Sequence, residues 1–336
     1  MTSRLSALPV LFVRLQRPCP LVQNRGFKRW LRPTLQTLKK RKERMDPEPL
    51  PRRSSFTDWN YKSELFAFGK RLGEDLNLDV LRTAVTTREF VLNEIDQQKA
   101  VGIEIDIQMN DNSKMILEGS EIINNYSLNF LRSAFPKLPE EGVIAVQTYL
   151  TCEENLSTLA KNLGVADLML TPEHPVEAVT LSNGFKALVA AISESSGIER
   201  ANLFVRDFVM TQLVGKNINE LWEVNDPLNL LSSILQRDGK QPFEPRIVAE
   251  TGRNTILANY QVGLYVNKEL IGLGCGESIK IATEVAARDA LRELFDTTES
   301  MKPVNFDVES LPQTFANFSI QDWSSKNVEK LMKSSR

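Results

Sequence analysis

The sequence is poor in the residues on which most side-chain catalysis and most covalent scaffolds depend. Its 336 residues hold one histidine and three cysteines. Cys19, Cys152 and Cys275 are scattered and odd in number, with no Cys-x-x-Cys pair, which argues against a disulfide framework and against a thiolate zinc site. A histidine-dependent nucleophile would have to rest on His174 alone, and that residue lies between Pro172 and Pro175 in an evident loop. Nor is there any run of about 18 apolar residues, so no membrane-spanning helix is expected. Acidic residues are absent from residues 1–30.

What remains is an ordinary globular composition, 42% hydrophobic and 25% charged, in a chain long enough for two domains with tails. The net charge of −2 conceals an asymmetry. Fourteen Lys and Arg against Glu43, Asp46 and Glu48 give residues 1–53 a charge of +11, so residues 54–336 carry −13.

The Arg-rich, acid-free residues 1–30 have the pattern of a mitochondrial transit peptide. A secretory signal would want an unbroken apolar centre and a small-residue cleavage site. Residues 31–57 follow with Lys39, Lys40, Arg41 and Lys42 and then Pro47, Pro49 and Pro51, which read as an extended basic arm. Both a solvated tether and an arm touching RNA phosphates fit that composition.

Residues 58–224 carry helical signals, at Leu76 to Val85, Glu121 to Phe135, Glu141 to Tyr149, Glu153 to Leu163, Val176 to Ile192 and Arg200 to Val214. Phe185, Leu188, Val189 and Ile192 fall at i, i+3, i+4, i+7, a stripe that predicts a core helix. In residues 226–297 the texture changes. A short helix from Leu228 to Gln236 precedes strand-like runs at Arg246 to Thr251, Tyr260 to Val266 and Leu270 to Leu273. A last helix follows, with Ala282, Ala286, Ala290 and Leu294 recurring every four residues. The order is α-β-β-β-α, and the fold class is mainly α. The tail, residues 298–336, holds Phe306, Phe315, Phe318 and Trp323, which points to a docked segment.

The second unit resembles a double-stranded-RNA-binding domain through Asp226-Pro227, Glu250-Thr251-Gly252 and Gly274-x-Gly276-x-Ser278-x-Lys280-x-Ala282. The helical unit resembles a ribonuclease III domain through Phe130 to Pro136, Glu153 to Gly164 and Ala187 to Gly197. With the leader ahead of them, the two units resemble the ribonuclease-III-like proteins of the mitochondrial large ribosomal subunit.

In active ribonuclease III enzymes that resemblance implies four metal-binding carboxylates, a pair at i, i+4 on one helix and a pair at i, i+3 on a later one. The matching positions here are Ile116 and Ser120, then Asn183 and Lys186. None is a carboxylate, and the Lys186 cation repels Mg²⁺. The resemblance therefore implies a protein of the mitochondrial matrix without catalytic residues, metal or cofactor. Its expected partners are mitochondrial large-subunit rRNA, other mitochondrial ribosomal proteins and a ribonuclease III-type pairing partner. The alternatives are a mitochondrial double-strand-specific endoribonuclease and a dimeric RNA-associated scaffold.

The RNA-facing positions are also altered. Ser232 and Ser233 stand at the minor-groove pair of the first helix, Gly252-Arg253-Asn254-Thr255 replaces the family's Gly-Pro-x-His, and Ile279-Lys280 replaces two lysines. Eight Lys and Arg against nine acids from Pro227 to Asp296 predict weak affinity for free duplex. Arg253, Asn254, Lys280, Ser232 and Ser233 are the expected RNA contacts there, with Lys39, Lys40, Arg41 and Lys42 in the arm.

Overall fold

The computed structural model describes residues 25–45, 51–101, 110–253, 255–298, 304–306 and 315–334. Two compact units are present, Met1–Pro51 and Arg52–Arg336. Most of the expected leader, residues 1–24, lies outside the described residues.

In the first unit the expectation of an extended arm is corrected. Residues Arg25–Arg44 form a helix, α1, with Arg41, Lys42 and Arg44 in its last turn. Pro33 removes one backbone donor, yet Leu, Gln, Lys and Arg dominate the rest and are good helix formers. Cations near the C-terminal end suit the helix dipole, and Lys39 lies 3.9 Å from Glu43 one turn on. Leu31, Leu35 and Leu38 are all exposed, at i, i+4, i+7.

The second unit begins at Arg52, ahead of the expected boundary at residue 58. Arg52 donates to the carbonyls of Thr171 (3.0 Å) and Pro172 (2.6 Å). Arg53 lies over the Trp59 ring and pairs with Glu64 at 3.3 Å. The helices that follow are α2 (Tyr61–Leu72), α3 (Leu78–Ala84), α4 (Arg88–Val101), α5 (Ser113–Ala134), α6 (Glu140–Thr151), α7 (Glu153–Leu163), α8 (Val165–Leu168), α9 (Ala178–Ser196), α10 (Ile198–Phe208) and α11 (Ile218–Leu221).

Local chemistry sets several ends. Asn60 caps α2 by accepting from the Ser63 amide, and Gly73 and Gly164 end α2 and α7 in the left-handed region. Helix α9 is the axis of this layer, packed against α3, α5, α7 and α10. Phe185, Leu188, Val189 and Ile192 are fully buried on it, as their spacing requires.

After α11 come α12 (Pro227–Arg237), β1 (Glu244–Thr251), β2 (Asn259–Val266), β3 (Glu269–Gly276) and α13 (Ile279–Phe295). The sheet is antiparallel in the order β1-β2-β3. Ser278 accepts from the Ile281 amide and starts α13. The alanine stripe of α13 meets a matching absence of side chains on β3, because a Cβ on Gly274 would overlap the α13 backbone at Ala282 and Ala286. Helix and strand therefore touch main chain to main chain.

The tail is docked. The buried Asn317 side chain donates to the carbonyls of Phe135 (3.0 Å) and Leu138 (2.8 Å), while its amide donates to Glu140 (2.8 Å). Trp323, 2% exposed, sits edge-on to Phe295 with centroids 5.1 Å apart and donates to the Lys137 carbonyl at 2.8 Å. Ser325 donates twice to Asp238 and opens the last helix, α14 (Ser325–Ser334). These contacts span both folded parts, and one continuous core runs from Leu65 to Val328.

Candidate functional site

The four positions at which the resemblance expects carboxylates meet where α5 crosses α9. Gly119 makes that crossing possible. A Cβ there would overlap the Lys186 carbonyl oxygen and lie 2.7 Å from its carbon. Ile116 and Ser120 flank Gly119 on α5, and Asn183 and Lys186 lie one turn apart on α9, all four half-buried. Ile116 packs against the small cluster of Ala84, Met115, Ala187, Ala190 and Ala191.

As a donor set these residues do not fit Mg²⁺. Isoleucine offers no donor, serine and asparagine offer neutral oxygens, and lysine brings a positive charge, whereas Mg²⁺ selects carboxylates and phosphates. Carboxylates do stand nearby. Asp79, Asp111, Glu118 and Glu194 line a groove of about 610 Å³ beside the crossing, together with Lys114. Lys114 is 3.4 Å from Glu118. Among the described residues no group of three or more His, Cys, Asp or Glu converges in a metal-holding arrangement.

The expected RNA contacts are distributed unevenly. Lys39, Lys40, Arg41 and Lys42 are exposed on the last turns of α1. Ser232 is exposed on α12, but Ser233 is engaged within the chain, donating to the Leu230 carbonyl at 2.8 Å and accepting from Arg237 at 3.1 Å. Arg237 in turn donates to the carbonyls of Ile320 (2.9 Å) and Trp323 (2.8 Å) in the tail. Arg253 is 3.5 Å from Glu250, and Lys280 is exposed in the first turn of α13. Asn254 lies outside the described residues.

Sequence reasoning passed over Gly119, Arg237 and Asn317. A lone glycine inside a helix was the available signal for the first, since glycine there costs helix stability unless close packing demands it. The tail contact also perturbs Glu141. Burial alone raises its carboxyl, but donors from Ser319 (2.5 Å) and the Ile320 amide (2.9 Å) outweigh burial and hold it below the ordinary carboxylate value.

Comparison with known proteins agrees with this architecture. Residues 60–192 match the family model of large ribosomal subunit protein mL44, endonuclease domain, and residues 222–331 match that of the MRPL44 dsRNA-binding domain. The large ribosomal subunit protein mL44 of Caenorhabditis elegans is 31% identical over 276 residues, covering 80% of this chain and 68% of that one. Ribonuclease 3 of Symbiobacterium thermophilum is 32% identical over 188 residues, 54% of this chain and 77% of its own length. Among solved structures, the nuclease domain of ribonuclease III from Campylobacter jejuni covers 43% of this chain and 94% of its own, at 17% identity and a TM-score of 0.36.

Proposed function

This chain belongs to the family of large ribosomal subunit protein mL44, and from that premise we propose that it is a non-catalytic structural protein of the mitochondrial large subunit, bound to rRNA and to neighbouring ribosomal proteins. The observation that carries the non-catalytic part is the composition of the α5–α9 crossing. The backbones are as close as Gly119 permits, yet Ile116, Ser120, Asn183 and Lys186 present no carboxylate there. Lys186 adds a cation where metal-assisted phosphate cleavage needs negative ligands.

RNA attachment falls first to α1, whose Lys39, Lys40, Arg41 and Lys42 are exposed in one cationic block. In the C-terminal domain the contacts are fewer. Ser232 remains exposed, Ser233 is taken by Arg237, and Arg253 and Lys280 supply two cations, one of them beside Glu250. Asn254 would add a neutral contact in the same loop.

The reading is tested by sedimenting mitochondrial lysate with and without nuclease. The chain is expected in the large-subunit fraction, and its remaining at the top of the gradient overturns the proposal. Purified chain with duplex RNA and Mg²⁺ or Mn²⁺ is expected to leave the RNA intact. Cleavage lost on Glu118→Gln or Glu121→Gln would restore the endoribonuclease alternative.

A ribonuclease III-type pairing partner, a second copy or another subunit, is the second reading. In its favour is an open groove of about 710 Å³ lined by Glu118, Glu121, Tyr126, Ile198, Glu199 and Asn202. Concentration-dependent light scattering of the full chain tests self-pairing.

A further inference from the structure

Among the described residues, the Nε of Arg288 is a buried cationic donor without an acceptor. A buried N–H in that state has lost its hydration without compensation, which commonly marks a place that a bound group completes. Arg288 lines a small recess of about 40 Å³ together with Asn219, Trp222, Glu223, Arg292 and Phe295. Arg292 is exposed one turn further along the same face of α13. Neither guanidinium has an ion pair among the described residues.

The acids in this half of the helix are engaged elsewhere. Asp289 accepts from the Leu273 amide at 2.9 Å, and Glu293 lines a separate groove with Leu235 and Leu270. That leaves the exposed Glu223 as the one carboxylate lining the recess, against two arginines, so the occupant is anionic. One guanidinium fork already matches both oxygens of a carboxylate. Here two guanidiniums share a wall with an aromatic ring, Trp222, half-buried against Phe295 with ring centroids 5.9 Å apart. Phosphate on arginine with the base laid against an aromatic side chain is the chemistry of unpaired RNA. The recess has room for about one oxygen-sized group, so a phosphate oxygen enters and the base stays at the mouth.

We propose that Arg288, Arg292 and Trp222 bind one unpaired nucleotide of the large-subunit rRNA, its phosphate on the two guanidiniums and its base against the Trp222 ring. The site is separate from the expected RNA contact at Lys280, which lies two turns earlier on α13, about 12 Å along the axis. The proposal rests on the chain's place in the subunit and is independent of whether the α5–α9 crossing is catalytic.

The test places a benzophenone amino acid at position 223 of the full chain, an exposed site on the rim of the recess. Large subunits are isolated by sedimentation, irradiated and treated with protease. The expected product is an adduct to rRNA at one position, read as a reverse-transcription stop. Arg292→Gln, a change confined to an exposed side chain, is expected to lower its yield ~10-fold, the order of losing one hydrogen-bonded contact to a charged group. Arg288→Gln together with Arg292→Gln is expected to lower it further. An adduct to a neighbouring protein or within this chain, no adduct at all, or a yield untouched by both variants overturns the proposal. Failure of the chain to sediment with the subunit is a separate result, and it overturns the ribosomal reading together with this one.

Discussion

Gly119→Ala is the change that the α5–α9 crossing should tolerate least. The added Cβ would lie 2.7 Å from the Lys186 carbonyl carbon and 3.4 Å from the Ala190 nitrogen, with the carbonyl oxygen overlapped. Comfortable carbon contacts are ~3.5–4.0 Å, so the helices must part by roughly 1 Å. Ala187, Ala190 and Ala191 of α9 and Met115 of α5 are buried around that point. A gap of ~1 Å forfeits up to about half of each dispersion contact, which places the loss at about 3 kcal/mol, the top of the overpacking range. Gly73→Ala is the control, because Gly73 has φ +72° and no atom within 4 Å of an added Cβ. It should cost only the left-handed backbone penalty, ~1 kcal/mol. Guanidinium unfolding of both variants, extrapolated to water, gives the two losses. Equal losses, or a Gly119→Ala variant within ~1 kcal/mol of the parent, would refute backbone contact between these helices.

Three further outcomes concern the tail and the small sheet. Trp323→Ala removes a side chain that is 2% exposed and should cost ~3–5 kcal/mol or release the tail, read as faster hydrogen exchange across residues 315–328; Trp323→Phe should keep most of that protection, and equal exchange in all three proteins would count against docking. The Glu141 pKa is held below its ordinary 4.5, so its contribution is complete above that value and disappears as pH falls through the lower folded value. Protease resistance of residues 315–334 should accordingly fall on acidification below pH 4.5, and Glu141→Gln should flatten that dependence. Gly274→Ala should lower the thermal midpoint by forcing α13 off β3, with a loss of ~2–3 kcal/mol; an unchanged midpoint would show that helix and strand are not in main-chain contact.

Periodic burial was legible in the sequence, and contact between distant segments was not. Phe185, Leu188, Val189 and Ile192 announce α9 because a single helix face excludes water along its whole length. The alanines of α13 announce a close sheet for the same reason. Helix α4 offers no such signal, since Val91 is its single buried residue. The first turns of α5 were missed because exposed Leu117 and Glu118 interrupt the stripe and Gly119 is a poor helix former, a cost that the crossing with α9 explains. In α1 a run of like charges suggested extension, while the leucine spacing and the Lys39–Glu43 pair favour a helix. That Ile116, Ser120, Asn183 and Lys186 stand at the family's carboxylate positions is what the resemblance implies, whereas the close approach of α5 to α9 at Gly119 had no such signal in the sequence. The use of Ser233 by Arg237, and of Arg237 by the tail, joins residues up to 86 positions apart and leaves no local pattern.

The docked tail also has a consequence in time. Residues 315–334 leave the ribosome that makes this chain after both folded parts that they join. Until then Asp238, Glu141 and the Phe135 and Leu138 carbonyls lack the partners that Ser325, Ser319 and Asn317 later supply. The helical layer and the small sheet can each form beforehand from nearby contacts. Asn219 and Thr297 already bond to each other across the junction between them, at 2.8 and 2.9 Å, and Lys137 lies 3.0 Å from Asp296. The last segment to arrive adds Asn317 and Trp323 to the same seam, so its share of these contacts forms only once synthesis has passed them.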